Sequence, residues 1–296
     1  GAGGCRNVRG DRFRAGSGLG IPFMAIMKGR VLVIAGSDSG GGAGIQADIK
    51  AVTALGGFAM TAVSALTVQN TLGVSGILPV PPDIVAAQMR CVLDDIGVDA
   101  FKSGMLDRGE VIRAVAAEVR AYPDIPYVLD PVMVAKGGSR LLQDDAVDTL
   151  MRHLVPLASL LTPNLPEAEV LVGHPIRTVD EMCRAAETLR RAGARAVLLK
   201  GGHLEGDILT DVLCESSGIE LFSDSRLHTR HTHGTGCTLA SAIAVGLAQG
   251  LSLRDAVERA RRYLRAAIAS APGYGAGAGP LNHAVTVDSA WCALGA

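Results

Sequence analysis

The chain reads as an α/β protein built on a mostly parallel central sheet with helices on both faces. Three features of the sequence carry that expectation. From Arg30 onward, short apolar runs of β-favouring residues alternate with helical stretches. Runs such as Val31-Leu32-Val33-Ile34-Ala35 lack the apolar–polar alternation of a half-solvated strand, so they belong to a sheet covered on both sides. Clusters of Gly and polar residues follow these runs, and an open parallel sheet collects its ligands at the carboxyl ends of its strands.

Taken in order, the strand at 31–35 leads through a Gly-rich turn into an amphipathic helix with Ile45, Ile49, Val52 and Leu55 along one side. An apolar run over 58–66 comes next, then a helix near 83–94, a strand over 98–103, a helix near 110–120 and the strand Tyr127-Val128-Leu129. A helix over 144–154 leads to Ser159-Leu160-Leu161-Thr162. Thr178 and Glu181 form a capping box that opens a helix to Arg191; Gly193 closes it ahead of the strand Ala196-Val197-Leu198-Leu199. Two strand-like runs between 208 and 222 flank Ser216-Ser217-Gly218 as a hairpin. The last two helices follow Cys237 and Ser252, the second opened by another capping box through Asp255, and 273–279 is a Gly-rich loop.

No solenoid repeat and no linker interrupts residues 30–296, which read as one domain. Residues 1–29, rich in Gly, Arg and Ser with a single acid at Asp11, show no apolar periodicity. They read as a disordered, non-core N-terminal extension ahead of a natural start at Met27, in preference to a targeting segment.

Composition excludes several classes. Of 296 residues, 48% are hydrophobic and 19% charged, enough for a sizeable core and against disorder as the default. A net charge of −1 gives no basic footprint for nucleic acid or an anionic membrane. Cysteines at 5, 91, 183, 214, 237 and 292 include no C-x-x-C pair, which fits reduced cytosolic thiols and neither a disulfide frame nor a zinc site. Apolar runs stop well short of the roughly 20 residues of a membrane helix.

The densest chemistry lies in His231-Thr232-His233-Gly234-Thr235-Gly236-Cys237-Thr238, which runs into a small apolar helix. Gly234 and Gly236 let successive N–H groups converge at the helix start, where amides and the helix dipole favour an anion. Cys237 lies in that first turn, and a dipole of this sign favours the thiolate, which can then act as a base. Read alone, it fits equally an ordinary buried thiol.

Gly42-x-Gly44-x-x-Ala47 matches a dinucleotide fingerprint, but the required acid about 20 residues on is missing, and no P-loop is present. Gln69-Asn70-Thr71, Lys102-Ser103-Gly104-Met105 and Asp130-Pro131-Val132-Met133 follow successive strands, offering carboxamides and adaptable apolar walls. Asn164 and Glu167 in Thr162-Pro163-Asn164-Leu165-Pro166-Glu167 either supply oxygens to Mg²⁺ or cap a helix. Lys200, in Lys200-Gly201-Gly202-His203, is placed to meet phosphate. Asp130, Asn164, Glu167, Lys200 and the 234–237 turn together describe a phosphoryl-transfer site with metal, cation, anion hole and base.

These motifs, with Ala35-Gly36-Ser37-Asp38, Gly41-Gly42-Ala43-Gly44-Ile45-Gln46-Ala47-Asp48 and Val68-Gln69-Asn70-Thr71, resemble the hydroxymethylpyrimidine/phosphomethylpyrimidine kinases of thiamine biosynthesis. That family lies within the ribokinase-like superfamily, and the resemblance spans residues 31–290. It implies a ribokinase-like three-layer sandwich and a cytoplasmic homodimer that uses ATP and Mg²⁺. The implied reactions are phosphorylation of 4-amino-5-hydroxymethyl-2-methylpyrimidine and then of its monophosphate. It further implies that Gly36, Ala43, Asp48, Thr67, Gln69, Met105 and Val132 line the pyrimidine pocket, with Gln69 pairing to the ring. Asp130 and Glu167 would organise Mg²⁺, Asn164, Thr232 and Lys200 would meet ATP phosphates, and Gly234, Thr235, Gly236 and Cys237 would form the catalytic turn. Cys stands where sugar kinases of the superfamily carry Asp, and Thr67 stands where an apolar residue is common. Two other readings compete: a pyridoxal kinase of the same family, acting on another flat heterocycle with a CH₂OH group, and a non-catalytic pyrimidine-binding regulator.

Overall fold

The computed structural model describes residues 28–133 and 144–287. The chain enters at β1 (Arg30–Ala35) and crosses through α1 (Gly44–Ala54) to β2 (Phe58–Val63), parallel to β1. An antiparallel hairpin of β3 (Ala65–Asn70) and β4 (Gly73–Pro79) follows, and α2 (Pro82–Asp95) returns to β5 (Ala100–Ser103) on the other side of β1. From there the sheet grows one way, through α3 (Gly109–Arg120), β6 (Tyr127–Leu129), α4 (Asp144–His153), β7 (Leu160–Leu161), α5 (Leu165–Val172), α6 (Val179–Arg191) and β8 (Val197–Leu199). The antiparallel strands β9 (Ile208–Glu215) and β10 (Gly218–Ser225) complete it, and α7 (Thr235–Ala248) and α8 (Leu253–Ala269) end the fold. The order across the eight strands is β10-β9-β8-β7-β6-β5-β1-β2.

Strand periodicity divides the apolar runs between two cores. Leu32 and Ile34 of β1 face α2, α3, α4 and α6, whereas Val31, Val33 and Ala35 face α1, α7 and α8. This is the three-layer sandwich expected, with six consecutive parallel strands from β2 to β8. Helix α7 is built from small residues because it is enclosed by neighbours; Gly246 lets Ala256 of α8 approach where a side chain would collide.

Local signals held where they were self-contained. Thr178 and Glu181 make the full reciprocal capping box of α6. At α8 the Asp255 N–H is capped by Ser252, but Asp255, one methylene shorter than Glu, meets the Ser252 hydroxyl at 2.7 Å in place of the backbone N–H. The apolar run over 58–66 is not one strand. It breaks at Ser64, whose hydroxyl donates to the Met105 carbonyl, and β3 leaves the main sheet to pair with β4. Residues 28 and 29, assigned to the extension, are bonded to the fold, since Lys28 N–H meets Gly56 O and Phe58 N–H meets Gly29 O. The rest of that extension, with Met27, Cys5 and Cys292, lies outside the described residues.

Thr178→Ala, which deletes the cap of α6 on the surface, is expected to lower stability by about 1 kcal/mol. Leu32→Ala, in the centre of one core, is expected to cost about 2–5 kcal/mol. Urea denaturation measures both, and similar losses for the two would contradict the burial contrast described here.

Candidate active site

Because β2 lies on one side of β1 and β5 on the other, successive connections diverge between β1 and β5, and a crevice opens at their carboxyl ends. The residues after β1, β5, β6, β7 and β8 and the start of α7 all reach it. The hairpin of β3 and β4 stands over it. Gln69 therefore belongs to a strand of that hairpin and not to a loop after the second strand.

Asp38 ties the crevice together. Its carboxylate accepts the N–H groups of Gly40, Gly42 and Ala43 at 2.8–3.0 Å and meets Nε2 of His233 at 2.9 Å. Burial works against its charge, yet His233 and the amides of Ala43 and Gly40 hold the carboxyl below its ordinary range. His233 in turn lies 3.3 Å from Nε2 of Gln69. Thr67 donates to Ser37 O and to Gln69 Oε1, a use for the hydroxyl that an apolar residue lacks. Asp38 and His233 were quoted in the sequence motifs without a role; their only signal there was a buried-type acid in one Gly-rich turn and a His in another.

The Gly-rich turn opens α7 where the sequence placed a helix start. Gly234 caps α7 at φ +82°, and a Cβ there would run into the carbonyl oxygen of Gly42. A Cβ on Gly236 would stand 3.3 Å from Nζ of Lys200 and 3.6 Å from Oδ2 of Asp130, so the bare turn leaves room beside a cation. Lys200 donates to Asp130 at 3.0 Å, and Thr162 donates to the same oxygen at 3.2 Å. Burial disfavours the Lys200 charge, but Asp130 and Glu167 hold the ammonium above the usual lysine range.

Asn164 and Glu167 cap a helix, the second of the two readings made from the sequence. They form a reciprocal capping box on α5, at 2.8 and 2.9 Å, and both also line the crevice. Burial pushes the Glu167 carboxyl up to about 7, with the Asp130 charge adding to this and Lys200 and the Asn164 N–H opposing it.

Two expectations are corrected. Asp48 does not line the pocket. It lies wholly buried on the side of α1 that faces α7, bonded to Lys102 and Ser241. The thiolate of Cys237 is not favoured in the free protein. Burial pushes the thiol up to about 12; Lys102 opposes this, and the Asp48 and Asp130 carboxylates add to it.

Two cavities meet at the turn. One, of about 450 Å³, is lined by Gly36, Ala43, Thr67, Gln69, Met105 and Val132 together with Asp130, Glu167 and Cys237. The other, of about 390 Å³, has apolar walls from Leu209, Leu227, Leu239, Leu264 and Ile268, and charged groups including Asp224, Arg226 and Arg261. Asn164, Lys200, His203, Thr232, Thr235 and Gly236 line both.

Residues 38–282 match the family model described as phosphomethylpyrimidine kinase. The chain is 52% identical over 88% of its length to the thiamine biosynthesis bifunctional protein ThiED of Geobacter sulfurreducens, and spans about half (53%) of that longer protein. It is 48% identical to the hydroxymethylpyrimidine/phosphomethylpyrimidine kinase of Rhizobium meliloti, covering 85% of this chain and 96% of the relative. Among solved structures, the pyridoxal kinase of Staphylococcus aureus in complex with AMP-PCP and pyridoxal is 32% identical, with a TM-score of 0.80 over 87% of this chain and 94% of that one. A ribokinase-like sandwich whose crevice carries these motifs in register therefore identifies the chain as a phosphotransferase belonging to the phosphomethylpyrimidine kinase family.

Proposed function

We propose that the protein transfers the terminal phosphoryl group of ATP to the hydroxymethyl oxygen of 4-amino-5-hydroxymethyl-2-methylpyrimidine, and then phosphorylates the monophosphate to the diphosphate. The observation that carries this reading is the pair of cavities sharing the walls around Lys200 and the Gly234–Cys237 turn. A donor in the apolar-walled cavity and a flat acceptor in the other would present their reacting atoms to one another across an anion site. Positioning and charge stabilisation supply most of the catalysis in such transfers.

Within this reading, the N–H groups of Thr235, Gly236 and Cys237 hold the transferring phosphoryl oxygens, and Lys200 offsets their charge. Asn164 and Thr232 contact the nucleotide phosphates. Gln69, held by Thr67, presents its carboxamide to the ring, with Met105 and Val132 as apolar walls. Asp130 and Glu167 suit Mg²⁺, which takes one or two carboxylates and keeps water and phosphate as its other ligands. Burial raises the Glu167 carboxyl and the nearby Asp130 charge adds to this, a cost that a divalent cation would relieve. Bound there, Mg²⁺ would neutralise charge on the phosphates of ATP. Cys237 lies in the acceptor cavity and takes the hydroxyl; its thiolate form is the proton acceptor.

Pyridoxal is the second reading, supported by the likeness to the Staphylococcus aureus enzyme. A homodimer is supported by the hairpin, whose outer side exposes Leu66, Val68, Leu72 and Leu78. Among the described residues no helix is long and apolar enough to cross a membrane, and the free thiols of Cys91, Cys183, Cys214 and Cys237 support a cytoplasmic setting.

Consumption of ATP with the pyrimidine alcohol, its monophosphate, pyridoxal and ribose, measured side by side, tests the reading. The two pyrimidines are expected to have the highest kcat/KM, and a preference for pyridoxal would replace the first reading by the second. Glu167→Gln keeps a capping-box residue at that position, so α5 should survive while the Mg²⁺ concentration needed for half-maximal activity rises. An unchanged Mg²⁺ curve would reduce Glu167 to a cap. Cys237→Ala is expected to lower kcat by about 10²-fold or more with little effect on either KM, because the backbone donors remain while the proton acceptor is lost. Full kcat in that variant would make the thiol structural.

A further inference from the structure

Beneath the acceptor cavity lies a pair of charges with no part in the reaction as described. Lys102 on β5 and Asp48 on α1 are both fully buried, and Nζ of Lys102 donates to Asp48 Oδ1 at 2.8 Å. Ser241 on α7 donates its hydroxyl to the same oxygen at 2.7 Å. Asp48 Oδ2 is left without a hydrogen-bond partner among the described residues. Desolvating two charges largely offsets their attraction, so fold stability alone is a poor reason for the pair.

Its position follows from helix periodicity. Ser241 comes four residues after Cys237, and Asp48 four after Gly44, so each couple stacks along one side of its helix, one turn apart. The first turns of α1 and α7 both reach the acceptor cavity, where Gly44 and Cys237 line it. Their second turns meet at Asp48 and Ser241. Lys102 enters this second layer from the sheet, its Nζ 3.1 Å from the point where a Cβ on Gly104 would stand, and Gly104 lines the acceptor cavity. The ammonium and the half-satisfied carboxylate thus sit one layer below the thiol, in a water-free place where charges act strongly.

We propose that Lys102 and Asp48 are positioning residues that set the charge on the Cys237 sulfur, the ammonium drawing negative charge onto it and the carboxylate opposing. The inference rests on the reading that Cys237 meets the acceptor hydroxyl. The remaining charged groups facing the thiol are Asp130 after β6, which opposes its ionisation, and Lys200 after β8, which favours it. In the free protein this balance keeps the thiol protonated, and Lys102 is the group working hardest against that outcome.

The test is the rate of alkylation of Cys237 by iodoacetamide at fixed pH, followed on its own peptide by mass spectrometry, with Cys91, Cys183 and Cys214 as internal controls. Asp48→Asn keeps the shape and an acceptor for Ser241 while removing the opposing charge. One nearby charge shifts a pKa by about 1–3 units, and roughly half of that survives in the rate because a less basic thiolate is less nucleophilic. Alkylation in Asp48→Asn is therefore expected to be about threefold faster or more. Lys102→Met is expected to slow it by a similar factor. Should that variant not fold, the Lys102→Met, Asp48→Asn double variant, which leaves no unpaired buried charge, decides: its rate should fall back toward wild type. An Asp48→Asn rate equal to or below wild type, or a double variant as fast as Asp48→Asn alone, overturns the proposal. Alkylation is read without turnover, so a Cys237→Ala enzyme with full kcat would defeat the catalytic reading of the thiol and leave this result standing.

Discussion

The site depends on one carboxylate. Asp38 accepts three amides from the turn after β1 and meets His233 from the segment before α7, two stretches separated by 195 residues in the chain. That bond ties the two Gly-rich turns together, and they approach so closely that a Cβ on Gly234 would meet the Gly42 carbonyl and one on Gly42 would meet the His233 ring. Ser39, whose hydroxyl donates to Gln69 O and accepts the Gln69 N–H, extends the same frame to the hairpin. Floor, wall and anion turn are thus one hydrogen-bonded unit, and an oriented set of dipoles of this kind needs no rearrangement when charge develops.

Around that frame, like and unlike charges are held apart in a definite order. Lys200 sits between Asp130 and Glu167, next to the bare turn at Gly236, while Lys102 sits with Asp48 one layer deeper. The upper cation lines both cavities; the lower one is shut off from water. The division bears on the thiol at this helix start, which burial and two carboxylates push up against the ammonium groups of Lys102 and Lys200.

What could be seen in the sequence was what neighbouring residues decide. The buried strands, the capping box at Thr178 and the Gly234 turn each follow from a few consecutive side chains, and they stand where they were expected. The hairpin escaped because Ser64, a small polar residue within an apolar run, gives no sign that its hydroxyl turns to Met105 and ends the strand. Asp48 was misplaced by depth, since it lies one helical turn beyond Gly44, the residue of α1 that lines the cavity, and is bonded to Ser241 of α7. The state of Cys237 was out of reach of local reasoning, because Lys102, Asp48 and Asp130 come from three other elements. Asn164 and Glu167 were posed as either ligands or caps; the geometry shows the cap, and both residues also line the crevice.

A turn locked in this way has a consequence for any enzyme that phosphorylates the same heterocycle twice. In the first round the accepting oxygen hangs directly on the methylene carbon; in the second it belongs to the phosphate already attached, one bond sequence farther from the ring. Gly234 through Cys237 cannot follow that change, being tethered through Asp38 to the rest of the floor. The ring itself must retreat. Gln69 and Thr67 of the hairpin line the acceptor cavity of about 450 Å³, so on the proposed reading the hairpin bounds the room for such a retreat.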